Sequence, residues 1–365
     1  MAAQPVHLNW FNPVQVTFGA GCRQQIPADR PIVVLADRAA LGYDDESALV
    51  DALGAQCLAW SWVDGGAATV SHAQTLCAEL WPVMATCPQA VVLALGGGTT
   101  LDLAKVIRYR FASADPTDWV THWRANSLPG TAVRHPLWLV PTTAGTGSEV
   151  TRWATVWDTD VAQPIKLSWS QADGFAERAW VDPQLCLSCP PRITRDCGLD
   201  ALAHALEAIW NHSATDWTRP LAVHAAKAVV QALPTALGHA QDLSARVELS
   251  HASLLAGLVM SQTHTALAHA LSYDLTLHEG IAHGEACAVW LPMVWELALG
   301  HSTRCDEALG AVFMCDAGAG AERLRNWLAI LGIKPRDLRH TQAGQVTLKQ
   351  EMRSTRGRNF IAKQP

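Results

Sequence analysis

The amino-acid sequence predicts an α/β domain followed by an all-helical domain, and three observations lead to that fold class. Short apolar runs alternate with helix-like stretches in the first half of the chain. Glycine-rich turns follow two of these runs, and beyond about residue 190 the chain is rich in alanine and leucine with a 3.6-residue periodicity. The length of 365 residues accommodates two domains of ordinary size.

Three apolar runs of strand length define the first half. They cover residues 31–36, 90–95 and 137–140, and each ends at a polar, glycine-rich or proline-containing turn. Residues 71–80, between the first two runs, have helical spacing. Because strands that alternate with helices are typical of a parallel sheet, we expect a doubly wound α/β domain.

The second half of the chain is predicted to form a helical bundle. Residues 198–209, 221–233 and 243–260 repeat apolar side chains at helical spacing, with few strand-like runs between them. The adjacent Pro190 and Pro191 interrupt regular structure between the half with alternating strands and helices and the helical half. We therefore predict domains at residues 1–187 and 188–365.

Composition and charge exclude several classes of protein. Lys plus Arg is 27 and Asp plus Glu is 33, and this acidic balance argues against nucleic-acid binding. The uncharged apolar run at residues 286–295 is too short to cross a bilayer, and the first residues do not resemble a signal peptide. We therefore expect a cytoplasmic protein whose ten cysteines are reduced, mostly buried thiols without a role in a site.

The glycine-rich turn at residues 95–105 follows a predicted strand and opens a helix. Backbone N–H groups of Gly97 and Gly98 could approach a pyrophosphate at the positive end of the helix dipole, and Thr99 adds a hydroxyl. A tight strand-to-helix turn without a ligand is the alternative, because the usual G-x-G-x-x-G fingerprint is not matched.

A second polar turn, at residues 141–151, carries four threonines, one serine and two glycines after another predicted strand. Since ligands bind at the carboxyl ends of parallel strands, we expect both turns to converge on one site. Asp37 ends the first strand, where an acidic side chain would hydrogen-bond a ribose 2′-hydroxyl and favour NAD over NADP. Asp37 could equally cap a helix or face solvent, and Arg38 beside it would soften the discrimination.

Histidines in the helical half have spacing that suits a metal site. Asp200 and His204 lie four residues apart and so share a helix face, while His269 and His283 follow in one later segment. Imidazole and carboxylate ligands suit Fe(II), Zn or Mn. Chance pairing is the alternative, because the chain has fifteen histidines.

Together these motifs resemble the iron-containing (group III) alcohol dehydrogenase family along nearly the whole chain. The motifs are residues 96–105, residues 141–151, the stretch 198–204 that includes Asp200 and His204, and His269 with His283 fourteen positions later. The resemblance implies a dinucleotide-binding domain, a helical metal-binding domain with the plan of dehydroquinate synthases, and a cleft between them.

The resemblance also implies site residues. The ligands of one divalent metal, Fe(II) or Zn, would be Asp200, His204, His269 and His283. The contacts to NAD(H), with NADP possible, would be Asp37, Gly97, Gly98, Thr99, Asp102, Thr142, Thr143, Thr146, Thr151, Trp153, Lys166 and Leu185.

One position departs from the family pattern. Tyr273 stands where many members have a histidine, four residues after the third metal ligand, that is thought to relay a proton. Tyrosine is a weak donor at neutral pH, because its reference pKa is about 10. We therefore expect His278, whose reference pKa is nearer 7, to relay the proton, although His278 could equally be a surface residue.

The segment 269–284 is most similar to phosphonoacetaldehyde reductases, which make 2-hydroxyethylphosphonate. A phosphonate would need a cationic partner, and Arg152, Lys166, Arg356 and Arg358 are the candidates. The resemblance thus implies an NAD(H)-linked reductase of a small aldehyde, acting as a homodimer or a larger homo-oligomer.

Two other enzyme readings remain open. One is a different small aldehyde or diol as substrate within the same family. The other is a lyase of the 3-dehydroquinate synthase type, which would be expected to have Glu in place of Asp200 and several lysines around its substrate phosphate. A protein that only senses NAD or stores metal would have no reason to align a nucleotide cleft with four metal ligands.

Overall fold

A computed structural model describes residues 10–41, 43–162 and 164–362. The strands are β1 (Gln15–Phe18), β2 (Ile32–Asp37), β3 (Cys57–Val63), β4 (Val91–Gly96), β5 (Tyr109–Arg110), β6 (Val133–Arg134), β7 (Leu137–Pro141), β8 (Trp153–Asp158), β9 (Ile165–Ser170) and β10 (Arg178–Val181). The helices are α1 (Tyr43–Leu53), α2 (Val70–Thr86), α3 (Gly98–Ile107), α4 (Pro116–Arg124), α5 (Pro191–Ile209), α6 (Thr218–Gly238), α7 (Leu243–Thr263), α8 (Leu267–Glu279), α9 (His283–Ala288), α10 (Leu291–Ala298), α11 (Thr303–Phe313), α12 (Ala317–Ile330) and α13 (Gln342–Met352).

Six strands of the first half form one sheet in the order β1-β10-β7-β4-β2-β3. All neighbouring strands in it run parallel. The three apolar runs identified in the sequence are β2, β4 and β7, and they are the buried centre of the sheet. Strands buried on both faces appear as continuous apolar runs, which explains why the sequence shows them so clearly.

Alternate side chains of these strands pack on opposite faces of the sheet. Val33 and Leu35 of β2 belong to a core built with α2 and α3. Val34, between them, belongs to a second core that includes Leu53 of α1 and Trp180 of β10. Because both faces are covered, the predicted doubly wound arrangement is confirmed.

From Pro191 onward the regular elements are helical except for isolated bridges. Helix α5 lies at the centre, and every residue from Gly198 to Ile209 is buried. A helix that is buried on all sides is typical of a bundle core, and α6, α7 and α9 pack around it. The predicted domain boundary after residue 187 falls in the short 3-10 segment Pro183–Ser188 and stays a prediction.

The sequence did not indicate the antiparallel hairpin of β8 and β9. Its strands alternate buried and partly buried positions rather than forming an apolar run, so they give a weaker signal. The hairpin matters because Trp153 begins β8 and Lys166 lies on β9. Among the described helices, none has the length and apolarity that a bilayer span requires.

Candidate metal centre and nucleotide cleft

Helix α5 carries the first two predicted metal ligands. Asp200 and His204 lie on one face of the helix, and His204 Nε2 is 3.6 Å from Asp200 Oδ1. Both side chains are 6% exposed. Polar groups buried in a core are costly unless they are paired or bind a ligand, which indicates that this pair has a ligand to hold.

Two further helices bring the other predicted ligands to the same point. His269 of α8 and His283, the first residue of α9, place their Nε2 atoms 3.4 and 3.8 Å from Asp200 Oδ1. Ligand atoms around a tetrahedral ion with bonds of about 2.1 Å lie about 3.4 Å apart. Asp200 Oδ1 and His269 Nε2 are buried without a hydrogen-bond partner. These residues therefore fit a divalent transition metal.

Glu207 orients one of these ligands. His269 Nδ1 donates to Glu207 Oε2 over 2.7 Å, and the backbone N–H groups of Ala266 and His269 donate to the same carboxylate. Such a carboxylate fixes the tautomer of a metal-binding histidine and leaves Nε2 free for the metal. This role of Glu207 was not predicted, although Glu207 follows His204 by three residues on the same helix face.

The pKa shifts of Asp200 and His204 suit a bound cation. Burial alone would raise the pKa of Asp200, but the imidazoles of His204, His269 and His283 hold it well below its usual range. Burial lowers the pKa of His204 to about 4. At neutral pH Asp200 is therefore a carboxylate and His204 has a free lone pair, as metal binding requires.

A thiol also lies in the cluster. One donor atom from each of Asp200, His269, His283 and Cys287 lies within 4.8 Å of all the others. Burial raises the pKa of Cys287, but His269 and His283 outweigh this effect and lower it to about 7. Cys287 is a buried free thiol, as expected of the cysteines, but the four-residue spacing from His283 places it on the face of α9 that carries the predicted ligand.

The two glycine-rich turns meet at the end of the sheet, as predicted. A Cβ atom on Gly98 would lie 2.8 Å from Thr146 Cγ2, and one on Gly97 would lie 3.4 Å from Thr143 Cγ2. A Cβ on Gly96 would lie 2.9 Å from Asp37 Cβ. Only glycine fits at Gly98 without movement of its neighbours, so the backbone N–H groups of this turn stay accessible to a phosphate.

Asp102 ties the two turns together. Its carboxylate accepts hydrogen bonds from Ser148 Oγ and from the backbone N–H of Thr155, both over 2.7 Å. Lys105 Nζ donates to Ser148 Oγ and to the backbone oxygen of Trp153. Asp102 therefore positions the second turn, a structural role beside the cofactor contact that the resemblance implies.

Four further predicted cofactor residues are Thr99, Thr142 and Thr151, which belong to these turns, and Leu185. Thr99 Oγ1 donates to the backbone oxygen of Gly66 over 2.7 Å, and Thr151 Oγ1 lies 3.4 Å from Lys105 Nζ. Thr142 is buried with an unpartnered hydroxyl. Leu185 is buried in the apolar core on one face of the sheet.

Two cations converge on Tyr273. Lys166 Nζ lies 4.2 Å from the centre of the Tyr273 ring, and the Arg356 guanidinium lies 5.1 Å from it. Among the described residues neither cation forms an ion pair, and the Tyr273 hydroxyl is buried without a hydrogen-bond partner. Burial and the nearby Arg356 lower the pKa of Lys166 to about 7. Such unpaired cations suit an anionic ligand.

Arg152 is a third candidate partner for an anionic ligand. Arg152 rests over the Trp153 ring at 5.7 Å, and Trp153 contacts the His264 ring at 4.9 Å. Burial, then Arg152 and Arg356, lower the pKa of His264. Arg358, the fourth candidate, has an exposed side chain that donates to the backbone oxygen of Ser354.

The structure separates the two candidate proton relays. Tyr273 follows His269 by four residues on α8 and so shares its face, whereas His278 follows by nine residues, half a turn away on a helix. The His278 side chain is exposed to solvent. The structure thus brings Tyr273 towards the cluster and does not bring His278 there.

Two family profiles match this chain. "Iron-containing alcohol dehydrogenase" matches residues 13–183, and "Fe-containing alcohol dehydrogenase family, C-terminal" matches residues 194–350. Long-chain-alcohol dehydrogenase 1 of Geobacillus thermodenitrificans is 37% identical over 205 residues, 56% of this chain and 50% of that protein. The 1-propanol dehydrogenase PduQ of Salmonella typhimurium is 37% identical over 204 residues, with the same coverage. The chain thus spans about half the length of the curated relatives it matches.

A solved structure matches over nearly its full length. The sulfoacetaldehyde reductase of Bifidobacterium kashiwanohense, in complex with NAD+, superposes with a TM-score of 0.86 at 25% sequence identity. The match covers 98% of this chain and 96% of the reductase. The predicted combination of a parallel-sheet domain and a helical domain is confirmed by this likeness.

Proposed function

Because the chain belongs to the iron-containing alcohol dehydrogenase family, we propose that it interconverts a small aldehyde and a primary alcohol with NAD(H). The favoured reaction reduces phosphonoacetaldehyde to 2-hydroxyethylphosphonate. Membership of this family favours an oxidoreductase over a lyase of the dehydroquinate synthase type. The observation that carries the choice of substrate is the pair of unpaired cations on Tyr273, Lys166 and Arg356.

The nucleotide is proposed to lie across the two glycine-rich turns. The backbone of Gly97 and Gly98 at the N-terminus of α3 suits the pyrophosphate. Asp37, next to that turn, suits the ribose 2′-hydroxyl and disfavours a 2′-phosphate. The other proposed contacts are Thr99, Asp102, Thr142, Thr143, Thr146, Thr151, Trp153, Lys166 and Leu185.

Asp200, His204, His269 and His283 are proposed to hold the divalent metal. When bound, such an ion polarises a carbonyl as a Lewis acid. Glu207 keeps His269 in the tautomer that ligation needs. Asp200, His204, His269 and Glu207 are buried, and burial strengthens the electrostatic effect of such groups on a bound substrate.

Tyr273 is proposed to deliver the proton that alcohol formation requires. Its hydroxyl is buried without a protein partner, and it lies on the α8 face that carries His269. Lys166, 4.2 Å from its ring, faces the same space. This assignment replaces the expectation that His278 relays the proton, because the His278 side chain is exposed.

The cation pair would bind the anionic end of the substrate. A phosphonate carries several acceptor oxygens, and Lys and Arg groups form strong, charge-assisted hydrogen bonds with such oxygens. A sulfonate offers a similar set of acceptors. Sulfoacetaldehyde is therefore the second candidate, favoured by the likeness to the Bifidobacterium kashiwanohense reductase.

A substrate screen tests the proposal. NADH oxidation would be followed with protein loaded with Fe(II) or Zn, using phosphonoacetaldehyde, sulfoacetaldehyde, glycolaldehyde, lactaldehyde, succinic semialdehyde and butyraldehyde. We expect the phosphonate to have the highest kcat/KM. In Lys166→Met and Arg356→Met, kcat/KM for the phosphonate should fall about 10- to 150-fold, as for the loss of a hydrogen bond to a charged group.

Arg358→Met is the matched control, because Arg358 lies two positions from Arg356 but is exposed. It should leave the substrate preference unchanged. Equal losses for the phosphonate and butyraldehyde in the Lys166 and Arg356 variants would contradict an anion site. A homo-oligomeric state and a cytoplasmic location stay predictions.

A further inference from the structure

Cys287 lies in the metal cluster, although it is not one of the four predicted ligands, an aspartate and three histidines. His283 and Cys287 are four residues apart on α9, so one face of this helix presents both. Cys287 Sγ lies 3.9 Å from His283 Nε2. That nitrogen is the same atom that faces Asp200 Oδ1 at 3.8 Å, so the sulfur lies on the metal side of the imidazole.

The distances suit coordination. A zinc ion with a Zn–S bond of about 2.3 Å and Zn–N bonds of about 2.0–2.1 Å places sulfur and nitrogen roughly 3.6 Å apart. The sulfur, two imidazole nitrogens and a carboxylate oxygen lie within 4.8 Å of one another. Asp200 Oδ1 and His269 Nε2, two of these four donors, are buried without hydrogen-bond partners, which independently indicates a missing shared ligand.

We propose that Cys287 Sγ is itself a ligand of the metal ion and gives this chain a preference for zinc over iron. The proposal rests on the metal site of the proposed function and adds a donor to it. Thiolate is a softer ligand than carboxylate or imidazole, and a mixed sulfur, nitrogen and oxygen set is typical of zinc sites. His204 stacks on His269, with the two ring centroids 4.7 Å apart.

X-ray absorption spectroscopy of the zinc-loaded full chain tests the proposal without any activity assay. The wild-type protein should show a sulfur atom at about 2.3 Å from zinc. Cobalt substitution gives a second readout, because sulfur ligation produces a charge-transfer band in the near ultraviolet. Cys287→Ser should lose both signals and weaken zinc binding at least about tenfold, with a smaller change for Fe(II).

Cys305→Ser is the matched control, since Cys305 is a buried thiol of the same helical domain outside the cluster. It should keep the sulfur signals. A zinc shell of nitrogen and oxygen only, in a protein that still reduces aldehydes, would overturn the ligand role and leave the proposed function intact. Sulfur signals that persist in Cys287→Ser would also overturn it.

Failure of the wild-type chain to bind zinc, cobalt or iron would instead overturn the proposed function together with this inference. If Cys287→Ser does not fold, the wild-type absorption spectrum still decides the question, because it reports the presence or absence of sulfur directly.

Discussion

At the scale of single residues, the proposed chemistry depends on buried polar groups that lack hydrogen bonds within the protein. Asp200 Oδ1, His269 Nε2 and the Tyr273 hydroxyl are all buried and unpartnered. Lys166 and Arg356 lie against Tyr273 without an ion pair among the described residues. Since buried polar groups without partners cost free energy, these atoms are suited to bind ligands.

The pH dependence of substrate capture should identify Lys166. Its pKa is lowered to about 7, with burial as the main cause, so its charge is present below that pH and lost above it. We expect kcat/KM for sulfoacetaldehyde, whose sulfonate keeps its charge, to fall as pH rises through about 7, by up to about tenfold per pH unit. The ratio to kcat/KM for butyraldehyde isolates the charge effect. A ratio that stays constant with pH would rule out Lys166 as the titrating group.

The proton donor is tested by two variants of α8. Tyr273→Phe removes only the hydroxyl, and we expect kcat to fall about 100-fold or more, with an altered pH–rate profile. His278→Ala changes an exposed side chain on the opposite face, and we expect its profile to match the wild type. If the profile changes only in His278→Ala, the assignment to Tyr273 fails.

At the scale of elements, helix α5 organises the metal centre. Asp200, His204 and Glu207 repeat at intervals of four and three residues, so one buried face of the helix carries two ligands and an orienting carboxylate. The Glu207 carboxylate accepts from the His269 side chain and from two backbone N–H groups. Position and tautomer of the third ligand therefore depend on α5.

Removing the charge of Glu207 should weaken metal binding while the donors stay in place. For Glu207→Gln we expect a loss of about 10- to 100-fold in zinc affinity, measured by competition with a chromophoric chelator. Glu296→Gln is the control, because Glu296 pairs with Arg325 and Arg339 away from the cluster. Wild-type zinc affinity in Glu207→Gln would show that the hydrogen bond to His269 does not support ligation.

The elements also show what a sequence can and cannot indicate. Strands β2, β4 and β7 were predicted because burial on both faces makes them continuous apolar runs. The β8–β9 hairpin was missed because its strands are only half buried. Spacing along one helix indicated Asp200 with His204, but the approach of Lys166 and Arg356 to Tyr273 depends on packing between distant segments, which no local pattern encodes.

At the scale of the whole molecule, the sheet domain presents the two turns proposed to bind the nucleotide, and the helical domain presents the proposed metal ligands. The hairpin of β8 and β9 joins them, because Trp153 contacts His264 and Lys166 contacts Tyr273. A nicotinamide on one side and a polarised carbonyl on the other would meet between these elements. We therefore propose that the two domains bring NADH and a small anionic aldehyde together for hydride transfer.

The most direct test follows the transferred hydrogen. Metal-loaded protein would be incubated with phosphonoacetaldehyde and NADH that carries deuterium at both C4 positions of the nicotinamide, and the product would be examined by mass spectrometry and NMR. We expect 2-hydroxyethylphosphonate with one deuterium on its hydroxyl-bearing carbon, and no product after chelation of the metal. Unconsumed NADH, or a product without deuterium, would contradict it.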